Sequence, residues 1–235
     1  MMKRYLSRHP LFEGETIEGP YLLEGQGFSN ENHRFSVNGK HYLLRKFILD
    51  DRDRELEFAV QTLAYEKGIA AKPLVLESDS GLMICEFLPG EHKKSLEHGD
   101  LKHLARIIRE LHTIQITSEP LPLRDLLASE SREVTEAFDL LSAYPREIVL
   151  CHNDLNPKNI LFSDEEVKLI DWEFAGNNDR YFDLAAVSVE FALGKEKEVF
   201  FLQQYFKEEK WEQEKLDAYK VIYKALCAEW FQKNT

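Results

Sequence analysis

Cysteine is scarce in this chain of 235 residues, and the three present, Cys85, Cys151 and Cys227, lie far apart and form no CxxC pair. That spacing excludes a disulfide framework and suggests no zinc site, so all three read as reduced, mostly buried thiols. Long hydrophobic runs are missing as well. The longest apolar stretch, residues 184–193, is interrupted by Glu190 and falls well short of the roughly 20 residues of a membrane span. Residues 1–10 carry Lys3, Arg4 and Arg8 with no apolar run behind them, which is not the pattern of a secretory signal. A cytoplasmic location without membrane insertion follows by elimination. With only 11 glycines and 8 prolines beside 43% apolar residues, the chain is neither fibrous nor disordered. Basic residues are in deficit: 30 Lys and Arg stand against 42 Asp and Glu, a formal charge of -12. Such a field repels polyanions, which argues against nucleic-acid binding and for a small cationic partner.

What is there divides in two. Residues 21–24, 33–37 and 41–47 alternate as strands, and Asn38-Gly39 between the last two is a strong hairpin signal. Asp51 and Asp53 then open a helix whose apolar spacing runs through Leu56, Val60 and Leu63 until Gly68 ends it. Residues 74–76 and 82–85 read as two more strands. Pro89-Gly90 follows, and strand signals become rare beyond it. Residues 86–90 are therefore set as a hinge between an N-terminal lobe, 1–85, and a C-terminal lobe, 91–235. In the second lobe Leu101, Leu104, Ile107, Ile108 and Leu111 mark an amphipathic helix, and another is expected over 131–142, ahead of Pro145. Residues 148–151, 160–162 and 167–170 are short apolar runs, the last two joined by a polar turn, and everything after Tyr181 reads as helical. The expected fold class is α+β, a small antiparallel sheet plus helix followed by a larger, mainly helical lobe.

The chemistry is concentrated after residue 150. Residues 152–159 read His-Asn-Asp-Leu-Asn-Pro-Lys-Asn, the HxDxxxxN spacing of a kinase catalytic loop. In such a loop the Asp accepts the proton of the attacking hydroxyl and the Asn five residues on holds magnesium, roles that fall on Asp154 and Asn159. The run Val167-Lys168-Leu169-Ile170 then ends in Asp171-Trp172-Glu173, where a kinase carries its magnesium-binding carboxylate. One Asp and one Asn suffice for the protein's share, because Mg2+ takes many of its oxygen ligands from water and phosphate.

Cys151-His152-Asn153-Asp154, Asn159-Ile160-Leu161, Ile170-Asp171-Trp172-Glu173-Phe174-Ala175-Gly176-Asn177 and Phe182-Asp183-Leu184-Ala185 together resemble the choline/ethanolamine kinase branch of the aminoglycoside phosphotransferase-like superfamily. The resemblance implies a two-lobed, protein-kinase-like fold and an ATP- and Mg2+-dependent phosphotransferase acting on the hydroxyl of a small amino alcohol, choline or ethanolamine first. Thiamine kinase and aminoglycoside phosphotransferase are the alternatives, and a catalytically silent kinase-like binding module is a further one. Retention of Asp154, Asn159 and Asp171 together argues against silence.

The same resemblance assigns residues 25–30 to a phosphate-covering loop, with Gly27, Ser29 and Asn30 on ATP, and Leu43-Leu44-Arg45 to the strand that carries the nucleotide-binding cation. Glu86 and Leu88 then lie at the adenine. Two departures stand out. The loop is a poor match to GxGxxG, and Arg45 occupies the place of a kinase lysine, although guanidinium and ammonium bind phosphate differently. Its neighbour Lys46 points to the opposite face of the strand. For the carboxylate partner of Arg45, spacing favours Glu57 over Glu55. His152 is expected to brace the loop. Asp183 either braces it as well or caps the helix from Leu184 onward. Glu173 orients Asp171 or faces the acceptor. Tyr181, Trp211 and Trp230 are the candidates for an aromatic cage around a substrate cation. The segment between His112 and His152 is short for the superfamily, which implies a trimmed acceptor pocket.

Overall fold

The computed structural model describes residues 2–24, 29–49, 52–164 and 166–234. A short helix, Met2–Leu6 (α1), precedes an edge strand, Ile17–Leu22 (β1), which pairs antiparallel with Asn30–Val37 (β2). The sequence places this first strand at 21–24; it begins earlier because Gly19 and Pro20 sit in a bulge, a device that edge strands tolerate. Strand β2 turns directly into Lys40–Phe47 (β3), with Asn38 and Gly39 at φ values of 52° and 75°, the conformation an Asn-Gly hairpin requires. Helix Arg54–Glu66 (α2) follows, its N-cap Asp53 accepting a hydrogen bond from the Leu56 N–H at 2.9 Å. Pro73–Glu77 (β4) and Leu82–Glu86 (β5) complete a five-stranded antiparallel sheet in the order β1-β2-β3-β5-β4.

The C-terminal lobe contains helices His98–Leu111 (α3) and Arg132–Leu141 (α4), the latter capped by Ser131 as its pattern predicts. Ile148–Cys151 (β6), Ile160–Ser163 (β7), Glu166–Leu169 (β8) and Gly176–Asp179 (β9) form two ribbons, β6 with β9 and β7 with β8. Strand β9 has the sequence Gly-Asn-Asn-Asp, without a β-branched or aromatic residue, so propensity does not announce it. It is a strand because β6 pairs with it, Cys151 opposite Gly176 and Ile148 opposite Asp179. Helices Arg180–Glu190 (α5), Lys195–Phe206 (α6) and Gln213–Asn234 (α7) finish the chain. Among the described residues no helix is long and apolar enough to cross a membrane.

Two cores support this arrangement. One face of α2, through Val60 and Ala64, joins the large core of the helical lobe with Leu104, Leu150, Trp172 and Leu184. The lobes are thus packed together beneath the cleft, and the Leu169 N–H donates to the Ile69 carbonyl at 2.9 Å across that seam. A smaller core covers the other face of the sheet, where Phe12 lies edge-on to Phe35 and Tyr42 with centroids 5.3 and 5.2 Å away. Phe12 belongs to no regular element; it and Leu6 of α1 are the buried residues through which this segment covers the sheet. Phe12→Ala should cost about 3–5 kcal/mol of unfolding free energy in urea; an unchanged midpoint would show that the covering segment contributes nothing to the lobe.

Candidate active site

The loop after β6 is shaped by one carboxylate. Asp183, fully buried on α5, accepts hydrogen bonds from two consecutive backbone amides, His152 N–H at 2.8 Å and Asn153 N–H at 2.9 Å. His112 Nε2 lies 3.1 Å from the same carboxylate, and its Nδ1 is 2.7 Å from the Tyr205 hydroxyl. Asp183 therefore braces the loop, and the N-cap of α5 is Asp179, which accepts from the Tyr181 N–H. Asn153 adopts φ 64°, a left-handed conformation that Asn tolerates. Its side-chain amide donates to the carbonyls of Phe174 and Gly176, and its oxygen accepts from Asn178. His152 Nε2 sits 3.0 Å from the Ile170 carbonyl, so that nitrogen carries the proton, and the ring lies on Trp172 at 4.8 Å. It is a brace in this geometry.

Beyond this turn Asp154 stands half-buried, one oxygen accepting from Asn156 Nδ2 at 2.9 Å and the other from Asn159 Nδ2 at 2.6 Å. Burial, with the charge of Asp171 adding to it, pushes the Asp154 carboxyl above its ordinary range, against the hydrogen bond from Asn156. Because Asn159 holds Asp154 through its nitrogen, its amide oxygen is the atom that remains for a metal.

Opposite the loop, Arg45 projects from the middle of the sheet. Its NH1 donates to Glu57 Oε1 at 2.7 Å and to Asp171 Oδ1 at 3.0 Å, and its Nε to Asn32 Oδ1 at 3.3 Å. Glu57 is thus its helix partner; Glu55 instead accepts from the Ser78 hydroxyl. Lys46 points to the other face, toward Glu31. The second oxygen of Glu57 accepts from Arg54 NH1 at 2.7 Å, and the same NH1 is 3.3 Å from Glu173 Oε2. Glu173 also receives Asn30 Nδ2 at 3.1 Å and the Ser29 hydroxyl. An alternating series of ion pairs results, Asp171 to Arg45 to Glu57 to Arg54 to Glu173. Glu173 therefore faces the N-terminal lobe and not an acceptor, which corrects the expectation for that residue. The donors Asp171 and Asn159 are hard oxygens near a third carboxylate, a set suited to Mg2+.

Of the other expected nucleotide residues, Gly27 lies outside the described residues, while Ser29 and Asn30 are buried beside Glu173. Glu86 is the last residue of β5 and Leu88 lies two residues beyond it; the Glu86 and Phe87 N–H groups donate to the carbonyls of Lys72 and His41.

The aromatic cage is mostly elsewhere. Tyr181 is 1% exposed, its hydroxyl accepts from the Glu212 N–H, and the Lys215 ammonium already sits 4.5 Å from its ring. Trp211 stacks on Phe206 at 6.1 Å in the same cluster. The buried Tyr181 ring is unavailable to a substrate, while the half-buried Trp211 packs on Phe206 of α6. Trp230 shares a face of α7 with Tyr223 and Cys227 by helical spacing. That face carries residues the sequence did not single out. The Tyr223 hydroxyl donates to Glu190 Oε1 at 2.9 Å, and the charge of Asp154 is near enough to raise the pKa of both groups, adding to their burial. The only advance signal was Glu190 itself, an acid interrupting an apolar run.

Residues 24–219 match the family described as Phosphotransferase enzyme family, and the chain belongs to it. Protein LicA of Haemophilus influenzae is 28% identical over 205 residues, 76% of this chain and 60% of that protein. The chain thus spans about three fifths of that relative's length. A thiamine kinase of Escherichia coli is 30% identical over 202 residues, covering 77% of this chain and 67% of the enzyme. Among solved structures, a choline kinase LicA from Streptococcus pneumoniae superposes with a TM-score of 0.80 at 22% identity, over 98% of this chain and 88% of that one. A LicA in complex with AMP gives 0.75 at 21%, over 93% and 84%. The fold is accordingly the two-lobed, kinase-like one.

Replacing Asp183 by Asn puts an amide N–H donor against one of two backbone donors. Asp183→Asn should lose about 3 kcal/mol of stability in denaturant unfolding; a variant as stable as the parent would remove the brace from the account.

Proposed function

We propose that this protein transfers the γ-phosphate of ATP, with Mg2+, to the hydroxyl of a small cationic amino alcohol, choline or ethanolamine being the favoured acceptors. The observation that carries the cationic acceptor is the Glu190–Tyr223 pair beside Asp154. The half-buried Glu190 carboxylate, oriented by the Tyr223 hydroxyl, attracts an ammonium group by charge. Family membership supports phosphotransfer, and the net charge of -12 favours a cation over an anion as the acceptor.

In this reading Asp154 orients the hydroxyl and takes its proton, with Asn156 and Asn159 fixing the carboxylate. Arg45 faces the phosphates, Ser29 and Asn30 close over them, and the backbone at Glu86 and Leu88 meets the adenine. Asp171 and the Asn159 amide oxygen would hold Mg2+, which supplies charge neutralisation on the phosphates. Catalysis of this kind rests on positioning and electrostatics more than on covalent chemistry.

Thiamine is the second reading. The relative from Escherichia coli supports it, and its acceptor also carries a fixed positive charge. ADP release measured with MgATP and choline, ethanolamine, thiamine or kanamycin separates these acceptors. One of them should give a saturable rate that Asp154→Ala lowers by at least about 100-fold, with nucleotide affinity retained; a variant with a near-normal rate would refute the assignment of Asp154. Glu190→Gln should raise the KM for a cationic acceptor by about tenfold, equivalent to about 1.4 kcal/mol, and leave the KM for ATP in place; equal KM values in parent and variant would remove the cation site.

A further inference from the structure

Arg54 is an odd residue for its position. It is the first residue of α2, where the helix dipole disfavours a cation, and its side chain is only 9% exposed. Something offsets that cost. NH1 lies between Glu57 and Glu173, NH2 donates to the Leu49 carbonyl at 3.2 Å, and the guanidinium rests on the Phe47 ring at 4.1 Å. Without it, two buried carboxylates would face each other with no cation between them. Both routes from Arg54 end at the residues that close the phosphate-covering loop. Through Glu173 it reaches the side chains of Ser29 and Asn30; through Leu49, whose N–H donates to the Ser29 carbonyl at 3.4 Å, it reaches the backbone. Its other partner, Glu57, is the residue that orients Arg45.

We propose that Arg54 is a positioning residue for the nucleotide: one guanidinium fixes the end of the phosphate-covering loop, the helix carboxylate behind Arg45 and the segment after the metal-binding Asp171 in a single register. A lysine cannot replace it, because a point charge on a flexible stem does not reach Glu57, Glu173 and the Leu49 carbonyl at once.

The inference rests on the nucleotide-site reading above, so its test uses nucleotide binding, which needs no acceptor. Titration calorimetry with MgADP compares the parent chain with Arg54→Gln, Arg54→Lys, Glu173→Gln and the double variant Arg54→Gln/Glu173→Gln. Each single variant should weaken MgADP by about tenfold, and the double variant should be no weaker than the worse single one, the non-additivity expected of groups in one network. Where turnover is measured, the KM for ATP rises and the KM for the acceptor does not, a split that loss of folded protein cannot produce. Unchanged affinity in Arg54→Lys and Glu173→Gln, with both folded by circular dichroism, overturns the role even if Arg54→Gln fails to fold. Additive losses overturn it as well. A parent chain that binds no MgADP overturns the nucleotide-site reading, and this one with it.

Discussion

Three carboxylates and two guanidiniums interleave at the junction of the lobes, and the cleft exists in its present shape because those charges alternate. Asp171 and Glu173 stand two residues apart on one segment; Arg45 and Arg54 each bridge from one of them to the shared Glu57. Buried ions of this kind are stable only while every partner is in place, since removal of one leaves its neighbour desolvated and unpaired. The series is also one positive charge short. Asp154, close enough for Asp171 to raise its pKa, deepens that deficit. Hard oxygen donors gathered where negative charge is in excess suit a divalent cation.

The loop after β6 solves a different problem, that of holding an irregular backbone still. Its amides find no strand partner at the turn, and buried amides must be paired. Asp183 supplies the acceptors from a neighbouring helix, and His112 with Tyr205 extends the network into α3 and α6. The side chain of Asn153 ties the turn to β9 from the other side. Asp154 thus projects from a segment fixed at both edges, and its burial raises its proton affinity without letting it move.

Features encoded over a few neighbouring residues were legible in the sequence. The Asn38-Gly39 hairpin, the ends of α4 at Ser131 and Ser142, and the loop from His152 to Asn159 are of this kind, and Arg45 found Glu57 as spacing suggested. What was missed depends on partners distant in sequence. Strand β9 is made by β6; the role of Glu173 is decided by Arg54, 119 residues earlier. Tyr181 and Trp211 look like cage residues in a list of aromatics, but a helical lobe of this size spends most of its rings on packing, and composition cannot say which few remain at the cleft. Arg54 and Glu57 lie three residues apart on one helix, a pairing that helical spacing alone would suggest.

The proposed acceptor has an electrostatic part to play in its own reaction. Burial raises both Asp154 and Glu190, with the charge of Asp171 adding to the first and that of Asp154 to the second, so that the carboxyl needed as a base is held toward its protonated form. An ammonium group placed near Asp154 favours its ionised form by direct attraction. A neutral alcohol of the same size would fill the same space without doing so. Selection for a cation would then act in the proton-transfer step as well as in binding, and the distance between charge and hydroxyl in the substrate would decide how well one molecule serves both carboxylates. A short amino alcohol carries the two groups on adjacent carbons, which suits a base and a second acid near enough for the charge of Asp154 to raise Glu190.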